Sequence, residues 1–242
     1  MDGRWVEVGD GVLARRYAEL DLTVGLVVGD ERALVVDTRG DATQGAELAA
    51  AVREVTALPL VVAITHAHFD HCFGTAALAP DAVYAHPRCT AAIRSTAAAQ
   101  RARWSAWYRA RGDPGDGAVA AALAATDPPL PDRAAPAVVD LGGRTAALLH
   151  LGPGHTDHDL VVHTGGVVFA GDLVEQGAPP DLEDAVLGGT LAAWPATLDR
   201  LLALGPRTVV PGHGDPVDAT FVAAQRAELA ELAGLWAPDG RP

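Results

Sequence analysis

Two blocks of short apolar runs broken by glycine and aspartate, each accompanied by alanine-rich helical stretches, predict an α/β fold in which two sheets carry helices on their outer sides. The first block holds Leu22 to Val28, a turn at Gly29-Asp30 and then Ala33 to Val36, which reads as a hairpin. Residues 43–57 place apolar side chains at helical spacing, and Pro59 closes that helix ahead of a strand at Leu60 to Ile64. Ala82 to Ala85 is the next strand, and Pro87 starts a helix that runs to about Arg111. Between Asp113 and Pro136, glycine and several prolines surround one alanine-rich piece, so residues 90–135 are expected as a helical insertion. The second block is Val138 to Leu141, Thr145 to His150, Asp159 to His163 and Val167 to Ala170, separated by Gly142-Gly143, Pro153-Gly154 and Gly165-Gly166. Trp194 to Leu204 and Thr220 to Leu235 read as amphipathic helices on either side of a short strand, Thr208 to Val210.

Composition narrows the function classes. A length of 242 residues suits one layered domain, 1–242. Apolar residues make up 49% of the chain, yet no run approaches the ~20 residues of a membrane span. The opening MDGRWVEVGDG lacks a basic segment followed by an apolar one, so a cytoplasmic location is expected. Cys72 and Cys89 fit reduced thiols. The net charge of −13 disfavours a nucleic-acid partner, and every basic residue is an arginine, which removes Schiff-base chemistry. A small molecule is the expected partner, with no membrane; a homodimer stays open.

Residues 66–71, HAHFDH, follow the strand at Leu60 to Ile64 and concentrate four ligand types in one short turn. Imidazole and carboxylate are the donors that zinc prefers. In an extended or turning segment, side chains at i and i+2 share a side, so His66 and His68 reach one ion while Asp70 and His71 swing toward another. A polar loop with solvent-facing histidines leaves this density unexplained. Two metals require further ligands, and three candidates sit beside glycine where strands run out: His155 in GPGHT, Asp172 in FAGD and His213 in PGHGDP.

With Asp37 in VVDTRG, the ordered series HAHFDH, His155, Asp172 and His213 resembles the metallo-β-lactamase-fold hydrolase superfamily, in its glyoxalase II-like or general hydrolase branch, over nearly the whole chain. The resemblance implies a four-layered αβ/βα sandwich with the site at one edge of the sheets. It implies that His66, His68 and His155 hold a first metal, that Asp70, His71 and His213 hold a second, and that Asp172 bridges them. Asp37 is expected to support the ligand loop from behind, with helix capping as the alternative.

Two zinc ions, with iron or manganese as alternatives, imply an enzyme: a dinuclear hydrolase using a metal-bridging hydroxide on a small ester, thioester or lactone, with Asp70 orienting that hydroxide or carrying its proton. Two other readings stand beside it, a mononuclear iron oxidoreductase of the persulfide dioxygenase kind and a non-catalytic metal-binding protein. Trp104, Trp107, Tyr108 and Arg109 in the insertion, with His158, are the expected substrate contacts, and the arginines there suggest a grip on an anionic substrate. Glu175 and the run Asp181 to Asp184 are candidates for the rim.

Overall fold

The structure is a computed structural model that describes residues 3–235; residues 1–2 and 236–242 of the expected 1–242 domain lie outside the described residues. The chain starts with an antiparallel meander, β1 (Trp5–Gly9), β2 (Val12–Arg16), β3 (Thr23–Val28) and β4 (Ala33–Val36). Helix α1 (Ala42–Val55) then crosses over to β5 (Leu60–Ala63), which pairs parallel with β4. A single helical turn α2 (Phe69–Cys72) leads to β6 (Ala82–Ala85), again parallel, and the long α3 (Pro87–Arg111) and α4 (Asp116–Ala125) precede the two-residue β7 (Arg133–Ala134). Among the described residues these seven strands form one sheet in chain order.

The second sheet is built from β8 (Ala137–Asp140), β9 (Thr145–Leu149), β10 (Val161–Thr164), β11 (Val167–Glu175) and, after α5 (Glu183–Leu187) and α6 (Trp194–Leu202), β12 (Thr208–His213). Its order is β12-β11-β10-β9-β8, and α7 (Ala219–Leu235) closes the described chain. Both β9 and β11 run antiparallel to β10, and β12 runs parallel to β11, so the C-terminal ends of β9, β11 and β12 share one edge. An isolated bridge between Leu22 and His213 joins that edge to the start of β3 in the first sheet.

Strand periodicity explains the layers. On β4, Ala33 and Val35 face a core shared with Leu48 and Val52 of α1, while Leu34 and Val36 face the other sheet. On β11, Val167 and Phe169 enter the space between the sheets, while Val168 and Ala170 meet Trp194, Leu198, Val222 and Leu229 of α6 and α7. Strands covered on both faces read as unbroken apolar runs, and each Val or Leu so buried contributes about 1.5–3 kcal/mol. The result is helix, sheet, sheet, helix: the four-layered αβ/βα sandwich.

The differences from expectation lie at strand ends. The hairpin at residues 22–36 is the second half of a meander whose first half, WVEVG and VLARR, mixes charged with apolar residues; β1 is partly buried, and β2 buries Val12, Ala14 and Arg15. β11 extends beyond Ala170 to Glu175 with all nine residues buried, and β12 continues through Pro211, a residue tolerated there because the strand is an edge. The expected insertion at 90–135 is α3 and α4, and β7 at its end belongs to the first sheet. Among the described residues, no helix is long and apolar enough to cross a membrane.

Trp194 is fully buried, donates from Nε1 to the Leu173 carbonyl at 3.1 Å, and stacks edge-on to His155 with ring centroids 5.8 Å apart. Trp194→Ala is therefore expected to cost about 3–5 kcal/mol in urea unfolding. Trp194→Phe keeps most of the volume, and Gln225 still donates to the Leu173 carbonyl, so its cost is expected near 1 kcal/mol. Equal losses for the two would remove packing volume as the reason.

Candidate metal centre

HAHFDH leaves β5 as an extended turn and then closes one turn of helix at Phe69–Cys72, which separates its ligands into two sets. His66, His68, His155 and Asp172 form one group and Asp70, His71 and His213 a second; within each, one ligand atom per residue lies within 4.8 Å of all the others. Asp172 stands between them. Its Oδ2 is 3.5 Å from His66 Nε2, 3.6 Å from His155 Nε2 and 3.4 Å from His213 Nε2. Two glycines make that position reachable. Gly171, at φ 53°, shifts the β11 register so that Asp172 turns to the site, and a Cβ on Gly212 would come within 1.9 Å of Asp172 Oδ1.

Each histidine is held from outside by an acceptor. His213 Nδ1 donates to the Leu20 carbonyl at 2.8 Å and His155 Nδ1 to the Asp181 carbonyl at 3.2 Å. His71 Nδ1 donates to Asp37 Oδ2 at 2.8 Å, and His68 Nε2 to Asp184 Oδ2 at 2.5 Å. His66 Nδ1 reaches Thr65 Oγ1 at 3.0 Å, and that hydroxyl donates to Asp37 at 2.8 Å. Asp37 also accepts the Thr65 backbone N–H at 2.8 Å, so one buried carboxylate orients two histidines. Helix capping belongs to Asp41 instead, which accepts from Thr43 and Gln44 at the start of α1.

These outer bonds place one hydrogen of each ring outside, so that an inner nitrogen which gives up its proton to a cation presents a lone pair. The inner nitrogen of His68, Nδ1, is 3.0 Å from His66 Nε2 and 3.1 Å from His155 Nε2, and His71 Nε2 is 3.4 Å from His213 Nε2. Lone pairs this close repel unless a proton or a cation lies between them. Asp172 Oδ1 is buried without a hydrogen-bond partner. Crowded imidazole nitrogens around an unsatisfied carboxylate fit a divalent cation, and the donor types fit zinc.

Charge is distributed unevenly over the two groups. Burial lowers the pKa of His155 to about 4 and that of His66 well below its usual value. For His213 burial acts in the same sense but is outweighed by Asp172 and Asp70, which push it up to about 10. His71 is raised likewise, against burial, by Asp172, Asp70 and Asp37.

A cavity of about 520 Å³ opens onto both groups. Its wall from α3 is Ala92, Thr96, Ala99, Gln100, Arg103 and Trp104, one helical face, while Ile93, Ala97, Ser105 and Tyr108 turn to the core. Of the expected substrate contacts, Trp104 and His158 line the cavity; Trp107, Tyr108 and Arg109 do not. Tyr108 is fully buried with its hydroxyl donating to Glu19 at 2.6 Å, Trp107 shares the wall's face one turn further along and lies under Arg111, and Arg109 is exposed. His158 has both nitrogens engaged: Nε2 accepts the Ala67 N–H at 3.3 Å and Nδ1 donates to Asp157 at 2.7 Å, which braces the ligand loop. Gln100, which carries no signal in the sequence, brackets the same loop by donating to the Ala67 carbonyl at 2.9 Å and accepting the Phe69 N–H at 2.8 Å. Arg101 and Arg111 are tied to Asp127 and Asp116.

The family model of the metallo-beta-lactamase superfamily matches residues 20–213, a span that contains every residue of both groups. The chain belongs to the metallo-beta-lactamase superfamily. Among solved structures it is similar to a metallo-beta-lactamase from Pontibacter korlensis, with a TM-score of 0.68 at 19% identity, covering 94% of this chain and 98% of that one. It is also similar to a metallo beta lactamase from Hirschia baltica, with a TM-score of 0.69 at 17% identity, covering 95% and 98%. Among curated proteins, no sequence matches it. At these identities the structural likeness is one of fold, and the superfamily's metal-dependent chemistry agrees with the donor set found here.

Removing the acceptor behind the site is expected to weaken metal binding without touching a ligand. Asp37→Ala should lower zinc affinity about 10–100-fold in a competition titration against a chromogenic chelator; unchanged affinity would remove Asp37 from the support of His66 and His71. A second expectation concerns the chelator-treated chain. A histidine whose pKa rises from 6.5 to about 10 on folding adds stability that is complete below pH 6.5 and disappears as pH rises through about 10. Its Tm should therefore fall between pH 7 and 10, more steeply than that of the zinc-loaded chain. A flat profile would show that Asp172 does not hold His213 protonated.

Proposed function

We propose that the chain is a dinuclear metal-dependent hydrolase, working as one domain on a small ester, thioester or lactone. The observation that carries this reading is that the two ligand groups share Asp172 at the floor of an open cavity. A structural zinc site is closed by four protein ligands, whereas here both groups border free volume. Two cations, zinc by donor type, would be held by His66, His68 and His155 and by Asp70, His71 and His213 with Asp172 between them, and when bound would lower the pKa of water from ~15.7 to about 7.

The chain's own residues do the rest. Asp70 lines the cavity with its Oδ2 3.6 Å from His213 Nε2, placed to accept the proton of an attacking water. Phe69, Ala92, Ala99 and Trp104 form an apolar wall that receives the acyl portion and displaces water around it. Cys72 takes no part: it is buried, bonds the His68 carbonyl through Sγ at 3.2 Å, and burial pushes its thiol well up. The second ligand group supports this reading over a one-iron oxidoreductase, which would leave Asp70, His71 and His213 without work.

The test is a panel of aryl esters, thioesters and lactones, run on zinc-loaded chain with chelator controls. Metal-dependent turnover is expected, with Asp70→Asn lowering kcat/KM about 10²–10⁴-fold while zinc content, measured in parallel, accounts for any loss of the ion. Two equivalents of zinc on chain purified without added metal exclude the dioxygenase. No metal-dependent activity across the panel would remove the hydrolase reading.

A further inference from the structure

The acids around the cavity are not equivalent. Asp70 and Asp172 belong to the metal groups. Asp21 is paired with Arg16 at 2.5 Å, Asp184 with His68 at 2.5 Å, and Glu183 with Arg103 at 2.7 Å. The same Arg103 is the only arginine in the wall among the described residues, and both of its terminal nitrogens are spent on Glu183, at 3.0 and 2.7 Å. Two cavity acids are left without a cationic partner among the described residues: Glu175 and Asp181.

Glu175 is the more informative. It ends β11 across the ladder from His213, is only 8% exposed, and still forms part of the cavity wall. Its Oε1 accepts the Asp181 N–H at 2.9 Å, and Oε2 has no hydrogen-bond partner among the described residues. Oε2 is not among the atoms sealed from solvent, so it opens to the cavity, and no residue forms an ion pair with it among the described residues; a ligand's cation can. Facing it across the cavity, Phe69, Ala92, Ala99 and Trp104 offer apolar contact.

We propose that the cavity selects cationic substrates: an ester, thioester or lactone whose apolar portion lies on the α3 wall and whose remaining end carries an ammonium group docked on Glu175, with Asp181 as a second acidic contact. This rests on the hydrolase reading and names its substrate class. It replaces the anion grip suggested by the arginine-rich insertion, since those arginines are already paired or turned away. An ammonium at Glu175 Oε2 provides an ion pair that the described residues do not.

The test uses zinc-loaded full-length chain and three aryl esters of equal acyl length, ending in dimethylammonium, the isosteric isopropyl, or carboxylate. Wild type is expected to favour the dimethylammonium ester over the isopropyl ester by at least tenfold in kcat/KM, with the carboxylate ester lowest. Glu175→Gln should bring the cation-to-neutral ratio down to about threefold or less, and Asp181→Asn should lower it by a smaller factor; the readout is the ratio, so a general loss of activity does not imitate it. A neutral or anionic ester turned over as well as the cation, or a ratio unmoved by Glu175→Gln, overturns the inference and leaves the hydrolase reading in place. Calorimetric binding of the matched alkyl dimethylamine and alkyl carboxylate separates the reverse case. With no ester hydrolysed, amine binding that Glu175→Gln removes would retain the cation site and discard the hydrolase. With no ester hydrolysed and no amine bound, both fall.

Discussion

A buried imidazole can present a lone pair inward only if its other nitrogen has somewhere to leave its hydrogen. Five histidines meet that condition here, with acceptors drawn from Asp37, Asp184, Thr65 and the carbonyls of Leu20 and Asp181. Much of the fold can be understood as the means of bringing those acceptors to one edge. Parallel β4 and β5 place Asp37 beside Thr65 and His66, and the bridge between Leu22 and His213 brings the Leu20 carbonyl across from the other sheet. The loop after β11 returns over His155 to offer Asp181. Without these outer bonds the inner nitrogens could take either tautomer, and the geometry of both groups would be lost.

The residues of the two candidate ligand groups were legible in the sequence and the acceptors behind them largely were not. HAHFDH announces itself because three imidazoles and a carboxylate in six residues have no other use, and the glycines beside His155, Asp172 and His213 mark strand ends. Backbone carbonyls have no sequence signature, so Leu20 and Asp181 could not be found; Asp184 lies 116 residues from His68 and Gln100 lies on a helix of unremarkable composition. The sandwich was legible from apolar runs covered on both faces, but β1 and β2 were not, because short strands that carry Glu7, Arg15 and Arg16 among apolar residues look like loop. Asp172 was expected just past a strand and lies within one, since Gly171 bends the pleat without ending it.

Reading the insertion by composition misleads for a physical reason. Acids outnumber arginines 31 to 18 in this chain, so a cluster of arginines on one helix is more readily consumed by nearby carboxylates than left free. Arg101, Arg103 and Arg111 each find one. What an acid-rich chain leaves unpaired is acid, and at the cavity Glu175 and Asp181 form no ion pair among the described residues. Position along the helix completes the correction: Trp104 packs on Phe69 beside the ligand loop, whereas Trp107 and Tyr108 lie up to a turn further on, stacked on Arg111.

The α3 wall is joined to the ligand loop in two ways, and magnitudes decide which fixes it. Arg103 and Glu183 connect α3 to α5, next to the Asp184 that holds His68, but both partners are about half exposed, and such ion pairs contribute about 0–1 kcal/mol. The two Gln100 amide bonds to Ala67 and Phe69 contribute about 1 kcal/mol each, and Phe69 stacks on Trp104 with centroids 4.9 Å apart for about 0.5–1.5 kcal/mol more. The wall is therefore set by contact with the ligand loop itself, so cavity shape and the geometry of the candidate ligand groups are fixed together. The α5 segment is held by a different set, the buried Ala185 in the core with Trp194 and the charge-assisted bond from His68 to Asp184, which at about 1.5–3 kcal/mol outweighs the exposed Arg103–Glu183 pair.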